Sequence, residues 1–132
     1  MTTPIAVQLY SLRDALAEDF AGVIEKVAEM GYVGVERAFF TEDMTTAEAT
    51  NIIRANGLEV AAAHAELPLG DDQKSMLETM ADAGTDIMIW HGWPEDADYS
   101  SVDGVKRLAE RYNEANRIAQ ANGMRFGIHN HW

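Results

Sequence analysis

One pattern recurs four times in this chain: an amphipathic stretch ends at a glycine, and a short apolar run follows. The four glycines are Gly31, Gly57, Gly84 and Gly123. Such a glycine is typical of the left-handed position that closes an α-helix. The apolar run beyond it predicts a strand buried on both faces. A further apolar run, at residues 5–10, precedes all four copies and predicts the first strand.

The chain therefore predicts five strands that alternate with four helices. The helices are expected at residues 19–30, 45–56, 72–83 and 101–122, with Thr45 or Thr46 capping the second. This alternation indicates parallel strands with right-handed crossovers, in a (β/α) barrel or an open doubly wound sheet. The first strand is followed by Ser11 and Leu12 without a G-x-G-x-x-G motif, which disfavours a dinucleotide-binding sheet.

Composition limits the classes of protein and of partner. The 132 residues suffice for one domain, expected to span residues 1–132. A net charge of −12 disfavours nucleic acid and anionic membranes as partners. Cysteine is absent, which excludes disulfides, thiolate metal sites and cysteine nucleophiles. The start of the chain lacks a signal-peptide pattern, and there is no apolar run of transmembrane length, so we expect a cytoplasmic protein.

Polar and aromatic side chains cluster where each predicted strand ends. The residues concerned are Gln8, Tyr10, Glu36, His64, Glu66, Trp90, His91, His129 and His131, and they include all four histidines of the chain. The carboxyl ends of parallel strands form the ligand mouth of α/β folds, so these residues are the candidate site. Aromatic walls in such a pocket suit the C–H faces of a sugar ring.

Some of these residues also have purely structural interpretations. Glu36 is able to form an ion pair with Arg37 or Arg13, and His64 to bond a neighbouring backbone group. His91 lies between two tryptophans in the sequence, where simple packing would account for it.

His129 and His131 are two residues apart on the last predicted strand, so they are expected to point to the same side. Two imidazoles on one face are able to share a divalent metal, or to act as a base and its orienting partner. Glu36 and Glu66 are candidate further ligands.

Three segments together resemble the sugar phosphate isomerase/epimerase family, within the xylose isomerase-like TIM-barrel superfamily. They are VQLYSLRD at residues 7–14, MGYVGVE at 30–36 and GIHNH at 127–131. Residues 99–105 add to the likeness, which runs in order along the whole chain. The resemblance implies part of a (β/α)₈ TIM barrel, with about five parallel strands and four helices.

The resemblance also implies chemistry. Relatives bind a divalent metal (Mn²⁺, Mg²⁺, Co²⁺ or Zn²⁺) and move a proton between sugar carbons through an enediolate. His129 lies where many relatives carry a metal-binding glutamate, and His64 matches a substrate-pocket histidine. The expected metal ligand is therefore His129. The expected carbohydrate-binding residues are Gln8, Tyr10, Glu36, His64, Trp90, His91 and His131.

A complete barrel needs eight strands and about 250 residues. We therefore expect the 132-residue chain to lack part of the active site and to have little activity alone. Two alternatives remain. One is a non-catalytic half-barrel that binds or assembles, as a homodimer or with a companion half-barrel through its open sheet edges. The other is a lyase, dehydratase or phosphodiester-cleaving member of the same superfamily.

Overall fold

The computed structural model describes residues 3–38, 43–92 and 96–130. In these ranges five strands form one parallel sheet in the order β1-β2-β3-β4-β5: β1 (Ala6–Gln8), β2 (Gly34–Arg37), β3 (Glu59–Ala65), β4 (Ile87–Trp90) and β5 (Arg125–Ile128). The same ranges hold five α-helices: α1 (Arg13–Glu18), α2 (Phe20–Glu29), α3 (Thr46–Ala55), α4 (Gln73–Ala83) and α5 (Val102–Ala121). Strands follow one another in sequence order without a reversal, so the sheet is that of a partial TIM barrel and not of a doubly wound fold.

The repeated glycines take the backbone conformation that the sequence predicts. Gly31, Gly57, Gly84 and Gly123 have φ angles of 87°, 75°, 69° and 75°, all in the left-handed region. Each follows a helix and precedes a strand, so the glycine lets the chain reverse from the helix layer into the sheet. The recurring pattern in the sequence is therefore the helix-to-strand turn of each β/α unit.

The first β/α unit differs from the expectation. The predicted strand at residues 5–10 ends at Gln8, and Leu9–Leu12 form a 3₁₀ helix. A 3₁₀ helix has three residues per turn, so it brings Leu9 and Leu12 onto the same side, where both pack in the core. The short α1 that follows was not among the four predicted helices. Asp19 ends α1 and caps α2 by accepting a hydrogen bond from the backbone N–H of Gly22.

Helices cover one side of the sheet and bury its apolar side chains. Around β1 and β2 the core includes Leu9, Ile24, Val35 and Ile53, each with an exposure of 0%. A second cluster joins Ala63, Ala65 and Met88 to Met80 and Ala83 of α4. Arg37 is buried on this side too, and burial lowers its pKa to about 10 against the opposing effect of Asp82. None of the helices in the described ranges is long and apolar enough to cross a membrane.

Thr45, one of the two predicted caps, is the residue that caps α3. Its hydroxyl accepts a hydrogen bond from the backbone N–H of Glu48 at 3.2 Å, and Glu48 Oε2 accepts the Thr45 backbone N–H at 2.8 Å. This reciprocal arrangement is a capping box.

We expect Thr45→Ala to lower the free energy of unfolding by about 1 kcal/mol, because the backbone N–H of Glu48 loses its acceptor, the Thr45 hydroxyl. Urea unfolding followed by circular dichroism measures the loss. Thr46→Ala is the matched control, since Thr46 is the first helical residue and lies outside the capping box. Equal losses in the two variants would contradict the assignment of Thr45 as the cap.

Candidate active site at the carboxyl ends of the strands

The sheet has a second side, and strand register shows which residues face it. Gln8 lies opposite Glu36, and His64 lies opposite Ile89. Ile89 in turn lies opposite Gly127. Partners in register point to the same side of a sheet, as do residues two apart on one strand. The barrel-interior side therefore carries Gln8, Glu36 and His64, with His91 and His129 directly beyond β4 and β5.

A register irregularity between β2 and β3 decides where His64 points. Val35 pairs with Val60, but the next residue, Glu36, pairs with Ala62, so β3 contains one extra residue. Without the extra residue, alternation would direct His64 to the helix side of the sheet. The bulge shifts the alternation by one, and His64 faces the same side as Glu36.

Glu36 is the centre of a hydrogen-bond network that spans the first three strands. Its Oε1 accepts a hydrogen bond from Gln8 Nε2 at 2.6 Å and lies 3.1 Å from His64 Nε2. Glu36 therefore pairs with residues of the mouth and not with Arg37, which lies on the opposite side of β2. With Nε2 donating to the carboxylate, a neutral His64 ring has its other nitrogen as a proton acceptor.

The other two described histidines surround His64. The His91 ring is stacked on it, with centroids 6.1 Å apart and planes inclined by 7°, and the His129 centroid lies 5.4 Å away. His91 Nε2 lies 3.4 Å from Glu66 Oε1, so a second imidazole has a carboxylate beside it. The mouth thus holds three imidazoles and two carboxylates. Chemically, such a set is suited to accepting and returning protons, and to hydrogen bonding with hydroxyl groups.

Burial lowers the pKa of His64 below its usual value. Glu36 raises that pKa in opposition, while His129 and His91 lower it further. His64 is 7% exposed, which accounts for the dominant effect of desolvation on its charged form.

This lowered pKa predicts a pH dependence of stability. The unfolded chain binds a proton at His64 below pH 6.5, the ordinary pKa, whereas the folded chain resists it. The contribution of His64 to the free energy of unfolding is therefore complete above that pH and declines as the pH falls towards the folded-state pKa. We expect the stability difference between the wild type and His64→Gln, measured by urea unfolding, to shrink between pH 7 and pH 5. A difference independent of pH would contradict the assignment.

The remaining sequence-predicted residues lie elsewhere. Tyr10 is in the 3₁₀ helix after β1, 53% exposed, with the Arg13 guanidinium 4.7 Å from its ring centroid. Trp90 packs on the helix side of the sheet with Leu67 and Ala115, although its ring also lies 4.7 Å from that of His91. His131 lies outside the described residues. The role of each in carbohydrate binding stays a prediction.

One residue of the site carries little signal in the sequence. Gly127 faces the mouth, and a Cβ there would lie 2.9 Å from Ile89 Cδ1, so a larger residue requires Ile89 to move. Glu66 is among the residues that the sequence predicts for the site, but its contact with His91 depends on how β3 and β4 are aligned.

The described residues do not complete a metal site. In residues 3–38, 43–92 and 96–130, no group of three histidine, aspartate or glutamate side chains is placed to hold a metal ion. The expectation that His129 binds a metal therefore rests on the resemblance.

Several solved structures share this fold. A sugar phosphate isomerase/epimerase from Parabacteroides distasonis ATCC 8503 matches 99% of this chain and 52% of its own, with 20% identity and a TM-score of 0.76. A xylose isomerase-like TIM-barrel protein from Mycobacterium smegmatis in complex with magnesium matches 96% and 55%, with 15% identity and a TM-score of 0.57. A family 2 AP endonuclease from Brucella melitensis matches the same shares at 11% identity, with a TM-score of 0.66.

These likenesses show the fold: the chain is built like part of a xylose isomerase-like TIM barrel. It spans about half the length of the structures that it matches. No family model matches the sequence, and no curated protein matches it closely.

Proposed function

We propose that this chain contributes the carbohydrate-binding and proton-transfer mouth of a sugar or sugar phosphate isomerase/epimerase. The observation that carries the proposal is the Gln8–Glu36–His64 network at the carboxyl ends of the strands, with His91 and His129 beside it. The structural likeness to proteins described as sugar phosphate isomerases/epimerases supports it.

His64 would serve as the general base. Its ring nitrogen not bonded to Glu36 takes the proton from a carbon next to the substrate carbonyl, and the C–H electron pair forms the carbon–carbon double bond of an enediol. His91, held by Glu66, gives a proton to the carbonyl oxygen. In an isomerisation, a proton returns to the neighbouring carbon while the hydroxyl on the first carbon gives up its proton, which re-forms the carbonyl there. In an epimerisation, a proton returns to the opposite face of the same carbon while the protonated oxygen gives its proton back to His91, which re-forms the original carbonyl. Glu36 stabilises the imidazolium that His64 becomes between these steps.

We also propose that a complete barrel would bind a divalent metal, and that this chain would supply His129 as one of the ligands. The magnesium complex of the Mycobacterium smegmatis neighbour supports it. A metal would polarise the carbonyl oxygen of the sugar. Addition of Zn²⁺, which is diamagnetic, should shift the ring ¹⁵N signals of His129 by more than those of His64 and His91, and equal shifts of all three imidazoles would contradict specific ligation.

The proposal is tested by incubating the chain in D₂O with a panel of ketoses and ketose phosphates, with and without Mn²⁺, Mg²⁺, Co²⁺ or Zn²⁺. Exchange of carbon-bound hydrogen, followed by ¹H NMR, reports the first proton transfer even where turnover is incomplete. Shifts of the imidazole signals report binding. Binding without exchange would favour a non-catalytic module, and absence of both would contradict the proposal.

A half-barrel that assembles with another subunit is the second candidate, because β1 and β5 each pair on one side only within the described sheet. Ile128, the last residue of β5, is 51% exposed. Pairing with a second copy or a companion half-barrel would cover both edges. Light scattering at micromolar concentration distinguishes a dimer from a monomer, and a monomer contradicts self-assembly.

The AP endonuclease likeness keeps a phosphodiester-cleaving or lyase reaction as a further option, although the charge of −12 disfavours nucleic acid. A cytoplasmic location is proposed from the absence of cysteine.

A further inference from the structure

A cavity of about 310 Å³ lies on the helix side of the sheet, behind the mouth. Its aromatic wall is formed by Trp90 at the end of β4 and by Tyr112 of α5, and Leu67, Leu69 and Leu108 complete the apolar lining. The aromatic surface that the sequence suggests for a sugar ring is therefore placed in this cavity, while the next residue along the chain, His91, faces the mouth.

Hydrogen-bond donors and hydrogen-bond acceptors both line the same cavity. Asp72, Asp96 and Glu66 offer carboxylate acceptors, and Arg111 offers guanidinium donors. Arg111 Nη1 lies 3.9 Å from Asp96 Oδ2. The Tyr112 hydroxyl lies 3.0 Å from that of Tyr99, and this hydrogen bond, with some burial, raises the pKa of Tyr99 to about 12. The Tyr99 hydroxyl therefore stays protonated and neutral at physiological pH.

We propose that this cavity binds a neutral polyhydroxylated molecule the size of a single sugar ring. Its volume is at the lower end of the roughly 300–1,000 Å³ found for small-molecule pockets. A polyol presents C–H groups to Trp90 and Tyr112 and hydroxyl groups to the carboxylates and to Arg111. Three carboxylates against one guanidinium repel phosphate and carboxylate ligands, which excludes the anionic forms of sugars. This site shares Glu66 with the mouth but lies on the other side of the sheet, and it does not depend on the function proposed above.

Glu66 connects the two sites. It lines the cavity, and its Oε1 lies 3.4 Å from His91 Nε2 in the mouth. A hydroxyl group that donates to Glu66 from the cavity competes with His91 for the same carboxylate. Occupancy of the cavity should therefore alter the environment of the His91 ring as well as that of the Trp90 indole.

The test is a ¹H–¹⁵N NMR titration of the full chain with xylitol and D-glucose as neutral probes, and with inorganic phosphate and methylammonium as charged probes. We expect saturable shifts of the Trp90 indole N–H and the His91 ring at millimolar xylitol or glucose. Shifts confined to His64 and His129 would assign the binding to the mouth and overturn the proposal. A stronger response of Trp90 to phosphate or methylammonium would overturn the class of ligand.

Two variants localise the site. Arg111→Met should weaken polyol binding about tenfold, the loss expected for one hydrogen bond to a charged group. Leu69→Trp should abolish it by filling the cavity, with the thermal unfolding midpoint as the check on folding. Arg117→Met, at an exposed position of the same helix, is the matched control and should bind like the wild type. Equal binding by Arg111→Met, Leu69→Trp and the control would overturn the proposal.

Discussion

Met88→Ala is expected to lower the free energy of unfolding by about 2–5 kcal/mol. Met88 lies at the centre of β4 with an exposure of 0%, packed among Ala63, Ala65, Met80 and Ala83. Three of these four neighbours are alanines, whose short side chains fill little of the space that the truncation creates. Met76, Met124 and Phe126 also pack against this cluster, and how far they move into the space sets where in the range the loss falls. Against a total stability of roughly 5–15 kcal/mol, the variant would be close to unfolding at room temperature.

Met30→Ala is the matched control for this prediction, because Met30 follows α2 and is 74% exposed. Its truncation should change stability by no more than about 0.5 kcal/mol. Urea unfolding of both variants, followed by circular dichroism, gives the comparison. Similar losses in the two variants would show that the α4–β4 contact is not the centre of the second core cluster.

The sequence predicted the order of elements because each β/α unit carries a local signal. A glycine at the end of each helix marks the turn into the next strand, and the four glycines lie at those turns with positive φ angles. The predicted helices and strands match the observed ones to within a few residues for the same reason. The first unit was mispredicted where the signal is ambiguous: Leu9 and Leu12 fit either an extended strand with its turn or a 3₁₀ helix.

The site was predictable only in part, because its geometry depends on pairing between strands. That polar residues follow the strands is visible in the sequence, but their partners are not. Ala61, Ala62 and Ala63 form a uniform run, so nothing in the sequence marks the bulge that turns His64 towards Glu36. Trp90 is predicted to face the mouth because it lies at the end of a strand. Side chains alternate along β4, however, and this alternation places Trp90 on the helix side of the sheet.

The bulge also explains why Glu36 should be the most sensitive residue of the mouth. We expect Glu36→Gln to slow the exchange of carbon-bound hydrogen in a bound ketose by about 10²–10⁴-fold, the usual range for impaired general acid–base catalysis. Glutamine keeps the size of the side chain and an oxygen that is able to accept from Gln8 and His64. It removes the negative charge that stabilises the His64 imidazolium, so the variant separates charge from packing.

A second measurement distinguishes this role from simple structural support. Glu36 raises the pKa of His64 through its charge and its hydrogen bond, so Glu36→Gln should lower that pKa further, as followed by NMR titration of the His64 ring. Glu25→Gln, on the exposed face of α2, removes the same charge away from the mouth and should leave both the exchange rate and the pKa unchanged. If the pKa falls and exchange persists, His64 is coupled to Glu36 but is not the base. If neither changes, the network does not act as a unit. A slower exchange together with a lower His64 pKa, in a variant that still folds, would show that the network across the first three strands takes part in proton transfer.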